Sequence, residues 1–177
     1  MGSAWLVTQL FALHLHVNAD AVTPEWIDAQ VARANELFAP ADITLERVTL
    51  DDKAPEKVMS TSERVALRKL VTTGSIHVFI TRELADVDKA GAQIRGVTLT
   101  KGGGKYIILS AIAMDRVLAH ELGHLFGLPH STHVDSIMNK TPRTEPPLEK
   151  RGFVSDEVVV IEATAKRLIK QRVLKPR

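Results

Sequence analysis

Two histidines and a glutamate of this chain have the spacing that a metal site on a helix requires. His120 and His124 lie four residues apart, so on a helix both imidazoles project from the same face and can approach a single ion. Glu121 follows His120 directly, and its carboxylate can face a water molecule on such an ion without replacing a ligand. The pattern predicts metal-assisted hydrolysis.

The residues after His124 predict a third ligand. Gly127 lets the backbone leave the helix sharply, and the turn brings His130 back towards the metal. Three nitrogen ligands leave the fourth position of a zinc ion for water, which is typical of catalytic rather than structural sites. His133 is an alternative third ligand. The opposing interpretation, that these are ordinary histidines of a helix, does not account for the added Gly127 and His130.

The segment His120–His130 resembles the signature H-E-x-x-H-x-x-G-x-x-H of the metzincin clan of zinc peptidases. Metzincins also carry a methionine in a tight turn beneath the metal, and Met138 stands eight residues after His130. This spacing and Ser131 resemble the matrixin branch. The tyrosine ligand of astacin-like and serralysin-like enzymes does not follow Met138, and the chain has no cysteines of the archaemetzincin type.

The resemblance implies an α+β fold of the metzincin-like zincin type. Its N-terminal lobe, about residues 4–129, would hold a mixed, mostly parallel sheet, backing helices and the zinc-binding helix. A small irregular C-terminal lobe, residues 130–177, would carry one long helix. Residues 1–177 are therefore expected to form a single catalytic metallopeptidase domain.

The resemblance also implies a zinc-dependent endopeptidase that hydrolyses peptide bonds with a metal-activated water. The site would comprise three metal ligands for one catalytic Zn²⁺ ion, a general base and two structural residues, namely His120, His124 and His130, Glu121, and Gly127 and Met138. The partner would be a protein or peptide substrate, docked as an extended strand against Gly96–Thr100 by analogy with other peptide-binding sheet edges. Residues 139–149 would form the pocket that selects its side chains.

Three alternatives remain open. In a gluzincin, an acid such as Glu145, Glu149 or Glu157 would replace His130, although Gly127 argues against this. A non-catalytic zinc-binding peptide-interaction module is possible, but a pure binder has no physical need for a base at Glu121. A zinc amidase or esterase acting on non-peptide substrates would use the same residues.

The pattern of apolar residues predicts the elements that must position this site. Alternation indicates strands, and apolar residues at helical spacing between capping signals indicate helices. The predicted strands are 11–17, 43–50, 76–80, 97–99 and 106–109, and the predicted helices are 24–38, about 61–71 up to Gly74, about 115–126, and one following Ser155-Asp156-Glu157. His14, His16 and His77 fall in strands and are interpreted as structural.

Two segments have competing interpretations. Ala4–Val17 is apolar and ends near a possible signal-peptide cleavage site, but it lacks a basic start, so a strand is favoured. Met1-Gly2-Ser3 resembles a cloning remnant, which leaves open an upstream signal peptide. The glycines of Lys101–Lys105 favour a tight turn over a phosphate-binding loop, because no Walker-type pattern surrounds them.

The composition of the chain argues against several other classes of protein. With 45% hydrophobic and 25% charged residues, the chain has the composition of a globular domain. The net charge of +2 and the scattered basic residues do not favour nucleic acid, and the basic C-terminal run is interpreted as a solvated helix face. No apolar run is long enough to cross a membrane. By resemblance, we expect a secreted or extracellular monomer.

Overall fold

The computed structural model describes residues 8–100 and 105–177. It contains seven strands, which are β1 (Gln9–Val17), β2 (Ile43–Asp51), β3 (Lys57–Val58), β4 (Ile76–Thr81), β5 (Glu83–Leu84), β6 (Gly96–Leu99) and β7 (Tyr106–Ser110). Its four α-helices are α1 (Pro24–Phe38), α2 (Thr61–Ala66), α3 (Val117–Leu125) and α4 (Ser155–Lys170). The predicted turn across Lys101–Lys105 lies largely outside the described residues.

Five strands form one sheet in the order β2-β1-β4-β7-β6. Its first four strands are parallel, and β6 pairs antiparallel with β7 at one edge. The predicted mixed, mostly parallel sheet and the α+β fold class are therefore confirmed. Among the described residues, β6 is an edge strand with a strand partner on one side only. It contacts α3, the helix that carries His120 and His124.

The two faces of the sheet bury different clusters. On one face, β1 and β4 contribute Phe11, Leu13 and Val78 to a large core shared with α1, α3 and α4. On the other face, Phe79 and Tyr106 pack in a smaller cluster with residues from β3, β5 and the segment after α2. The larger cluster holds α3 against the sheet, which fixes the position of its histidines.

The local capping signals act as predicted at two helices. Thr23 Oγ1 accepts a hydrogen bond from Trp26 N at 3.3 Å, with Pro24 at the first helical position of α1. Ser60 and Glu63 form a reciprocal capping box at the start of α2. Side-chain oxygens thereby satisfy amide groups that have no partner inside the helix.

Some predicted boundaries were wrong. The helix predicted to run to about Val71 does continue to Leu70, but it is α-helical to Ala66 and 3₁₀ over Leu67–Leu70, so it ends before Gly74. The last helix begins at Ser155 itself, so its acidic residues lie within the first turn, where the helix dipole favours negative charge. The two-residue strands β3 and β5 form a separate parallel pair and were not predicted, since so short an element has no periodicity.

Two of the three histidines expected to be structural, His16 and His77, form a buried hydrogen-bonded network on the face opposite α3. His16 Nδ1 lies 2.8 Å from Asp51 Oδ1, and His16 Nε2 lies 3.0 Å from His77 Nδ1. The Thr72 amide donates to His77 Nε2 at 3.1 Å. Because Nε2 of His77 accepts, its Nδ1 must donate to His16, so both rings are neutral in this arrangement. Burial is the main reason that the pKa of His77 is lowered to about 4, and the neighbouring basic rings of His14 and His16 add to this lowering.

Within the described ranges, no helix has both the length and the apolar character needed to span a bilayer. The division into lobes at residues 129 and 130 stays a prediction.

Candidate metal centre and active site

The helix that carries the first two histidines is capped by a residue of another helix. Gln30 of α1 is buried, its Oε1 accepts from Leu118 N at 3.0 Å, and its Nε2 donates to Met114 O at 2.7 Å. No side chain of the residue before α3 provides this cap. Sequence reasoning missed Gln30, although the signal was present, because Gln30 is polar yet falls between Ile27 and Ala34 on the buried face of α1.

The structure brings together the three histidines that the sequence predicts as ligands. One potential ligand atom from each of His120, His124 and His130 lies within 4.8 Å of the others. The His120 Nδ1 atom lies 2.8 Å from Ile137 O, and His124 Nδ1 lies 2.7 Å from Leu128 O. A carbonyl oxygen can only accept a hydrogen bond, so Nδ1 of each of these two histidines carries the proton. The lone pair of each Nε2 is therefore free to bind a metal.

The turn after α3 forms a complete Schellman motif. Gly127 N donates to His124 O at 3.0 Å, and Leu128 N donates to Gly123 O at 2.9 Å. Gly127 has a φ of +94°, and a Cβ atom there would lie 2.8 Å from Thr164 Oγ1 of α4. Glycine is therefore required both by backbone conformation and by the close approach of α4. This turn directs the chain towards His130, as predicted.

Met138 is fully buried and packs against α3 at Gly123, between the first two histidines in sequence. A Cβ atom on Gly123 would lie 2.6 Å from Met138 Sδ, so the absence of a side chain at Gly123 gives the sulfur its place. Ser136 Oγ accepts from Met138 N at 2.9 Å and donates to Glu157 of α4 at 2.7 Å. Sequence reasoning missed the roles of Gly123 and Ser136, which depend on contacts between distant segments.

The alternative ligands lie elsewhere. Among the described residues, the metal-competent cluster contains neither His133 nor Glu145, Glu149 or Glu157. The Glu157 carboxylate instead accepts from Ser136 Oγ and from Val154 N, the latter at 3.0 Å. Through Ser136, Glu157 stabilises the turn that holds Met138, and it is not part of the histidine cluster.

Glu121 lies beside the cluster and is 6% exposed. Thr98 Oγ1 of β6 lies 2.7 Å from Glu121 Oε2. Burial raises the pKa of Glu121 to about 7, and the hydrogen bond from Thr98 acts in the lowering direction. A divalent cation on the neighbouring histidines would stabilise the carboxylate and lower this pKa again. The fraction of Glu121 that is ionised near neutral pH would therefore rise when a metal ion binds to the histidines.

An open cleft of about 520 Å³ borders Glu121 and the histidine cluster. Its walls are the edge strand on one side and the histidine cluster with Glu121 on the other, and the lining residues are Gly96, Val97, Thr98, Thr100, His120, Glu121, His124 and His130. A substrate in this cleft would contact β6 and the predicted metal at the same time.

The donor set fits a zinc ion. Burial lowers the pKa of His120 to about 4 and also lowers that of His130, so both rings are held in the neutral form that binds metal. Three imidazole ligands, two of them oriented by backbone carbonyls, border an open cleft. This arrangement matches a catalytic zinc site that retains one position for water or substrate.

Comparison with solved structures shows the same fold. Metalloproteinase-II from Bacteroides fragilis superposes with a TM-score of 0.67 at 13% identity, over 92% of this chain and 55% of that chain. This chain therefore spans about half the length of that protein. Archaemetzincin from Methanopyrus kandleri gives a TM-score of 0.63 at 18% identity, covering 89% of this chain and 96% of that one. A zinc-dependent peptidase from Methanocorpusculum labreanum gives 0.52 at 18% identity, with coverages of 84% and 99%.

Sequence comparison supplies the family. No curated protein sequence matches the chain. The matrixin model of the peptidase M10 family matches residues 20–163, which include the histidine cluster, Glu121 and Met138. The match confirms the metzincin resemblance, and together with the three-histidine cluster it confirms the predicted zinc cofactor. The chain thus belongs to the matrixin family of zinc metallopeptidases.

Proposed function

We propose that this protein is a zinc-dependent endopeptidase in which Glu121 is the general base. The observation that carries the proposal is the position of the buried Glu121 carboxylate beside three histidines in one open cleft. A protein that only bound zinc or peptide would gain nothing from burying an acid there, since burial of a carboxylate disfavours its charged form.

In this proposal His120, His124 and His130 hold the zinc ion. Zinc at such a site supplies Lewis acidity, which polarises a substrate carbonyl and makes a water molecule more acidic. Glu121 accepts a proton from the attacking water and delivers it to the leaving amine, so that the carboxylate is regenerated after each cleavage. The Ile137 and Leu128 carbonyls keep the imidazoles of His120 and His124 oriented through this cycle.

The substrate is proposed to bind as an extended chain along β6. Two features support this: β6 is the edge strand of the sheet, and three of its residues line the cleft, namely Gly96, Val97 and Thr98. Backbone hydrogen bonds to an edge strand orient a peptide irrespective of its side chains. Side-chain selection by residues 139–149, secretion and a monomeric state stay predictions.

The test is a mass-spectrometric search for cleavages in a diverse peptide mixture. Zinc-loaded wild type should cut within peptides, whereas chelator-treated protein and the Glu121→Ala variant should not. Glu36→Ala is the matched control, because Glu36 is an acid on α1 in an exposed ion pair. Cleavage by Glu121→Ala at the wild-type rate would remove Glu121 from the mechanism.

The same experiment separates the alternatives. Hydrolysis of small amides or esters without any peptide cleavage would favour a non-peptide amidase. Binding of one zinc ion per chain with no hydrolysis of either substrate class would favour an interaction module.

A further inference from the structure

The side chain of Glu121 is held by the edge strand as well as by its own helix. Thr98 Oγ1 lies 2.7 Å from Glu121 Oε2 and also 2.7 Å from the backbone oxygen Glu121 O. The hydroxyl has a single proton and can donate to either oxygen. Donation to the carboxylate is the charge-assisted and stronger interaction, so the ionised Glu121 is tied to β6 through Oε2.

Gly96 completes this contact from the same strand. A Cβ atom at Gly96 would lie 2.9 Å from Glu121 Cγ and 3.0 Å from Glu121 Oε1. Because residues two apart in a strand face the same side, Gly96 and Thr98 both face α3. The glycine admits the carboxylate against the strand, and the threonine fixes one of its oxygens.

Thr98 lies in the strand and not in the metal cluster. Its backbone pairs with Ile107 of β7, which in turn belongs to the central sheet and the large core. The hydroxyl is therefore carried by a rigid support, and its position does not depend on the metal ligands. A group so placed can orient the base without contacting the reacting atoms.

We propose that Thr98 is a positioning residue for Glu121, which holds Oε2 and presents Oε1 to the attacking water. This inference rests on the proposed peptidase function. It adds that β6, the strand proposed to bind the peptide, also holds the general base in position. The same strand would therefore orient both the substrate and Glu121.

The hydroxyl is tested by Thr98→Val and Thr98→Ser in the zinc-loaded protein. Valine keeps the shape of threonine and removes the hydroxyl, and serine keeps the hydroxyl. We expect Thr98→Val to lower kcat by roughly 10- to 100-fold with KM changed less than about twofold, since misplacing a catalytic group by ~1 Å costs about 10²-fold. Thr98→Ser should return kcat to within about threefold of wild type on the same argument. Thr44→Val, on the opposite edge strand, is the matched control.

Two further measurements exclude a merely structural role. Zinc affinity, from competition with a chelator, should be unchanged in Thr98→Val. Crystal structures of the variants should show Glu121 Oε2 displaced in Thr98→Val and in place in Thr98→Ser. Wild-type kcat in Thr98→Val, failure of serine to restore kcat, or an undisplaced Glu121 would each overturn the inference.

Failure of the proposed function gives a different result. If wild type cleaves nothing while Glu121 moves in Thr98→Val and stays in place in Thr98→Ser, the contact positions Glu121 but the protein is not a peptidase. If wild type cleaves peptides and Thr98→Val cleaves them equally well, the peptidase stands and the role of Thr98 falls.

Discussion

Replacing Gly127 by alanine tests the turn that connects the zinc helix to its third histidine. Alanine at a φ of +94° costs about 1–2 kcal/mol, because its Cβ approaches the following carbonyl. The new Cβ would also lie 2.8 Å from Thr164 Oγ1, and such overpacking adds about 1–3 kcal/mol. Together the two costs lower the free energy of unfolding by roughly 2–5 kcal/mol. Each kcal/mol lowers Tm by about 2–4 °C in a chain of this size.

The two contributions can be separated by a second substitution. Thr164→Ala removes the contacted hydroxyl, so Gly127→Ala/Thr164→Ala should recover the steric part and retain the backbone part. A double-mutant cycle should give a coupling of about 1–3 kcal/mol between the two positions. Urea unfolding of the chelator-treated proteins is the suitable assay, because bound zinc would shift the apparent stability.

The same turn should affect metal binding. His130 follows Gly127 by three residues, so a distorted turn is expected to weaken zinc binding by about 10- to 100-fold, as for other changes that misorient ligands. A Gly127→Ala variant that loses less than about 0.5 kcal/mol would refute the reasoning about strain. A double variant with no measurable coupling would refute the steric part alone.

Three other changes give independent checks. His130→Ala should reduce zinc affinity by more than about 100-fold, measured by chelator competition, and an unaltered affinity would point to His133 as the ligand. Glu157→Gln should lower the free energy of unfolding by about 1–3 kcal/mol, because one of the two oxygens near Ser136 Oγ becomes an amide group that can only donate. An unchanged thermal unfolding curve would show that α4 does not secure the turn that holds Met138. The lowered pKa of His77 means that the unfolded chain binds more protons between about pH 6.5 and 4, so the stability is complete above pH 6.5 and falls as the pH drops. His77→Phe should remove on the order of 1–3 kcal/mol of this pH dependence in chelator-treated protein, and an identical pH profile would contradict the assigned network.

The parts of the site that the sequence predicts are those that depend on local spacing. His120, His124 and Gly127 lie on one helix and its terminal turn, so the backbone geometry alone brings them into position. Strand and helix order followed in the same way from periodicity and caps. The fold could be assigned at this level because one face of each long element is buried against the core.

The missed residues act across long separations. Gln30 caps α3 from 88 residues away, and Thr98 reaches Glu121 from 23 residues away. Each is a polar residue whose partner is set by the packing of the sheet against the helices, which no short pattern encodes. The change from α-helix to 3₁₀ helix after Ala66 was likewise not predicted, and the 3₁₀ segment contributes Leu67 to the smaller core.

The link from Met138 through Ser136 to Glu157 also has a consequence for the order of events during synthesis. A nascent chain that has left the ribosome through residue 151 already contains every histidine of the cluster, but the methionine turn still has no acceptor from α4. Thr164, which packs against Gly127, is made later still. We therefore expect the metal centre to become rigid only after α4 has been made and has docked against Gly127 and the turn that holds Met138.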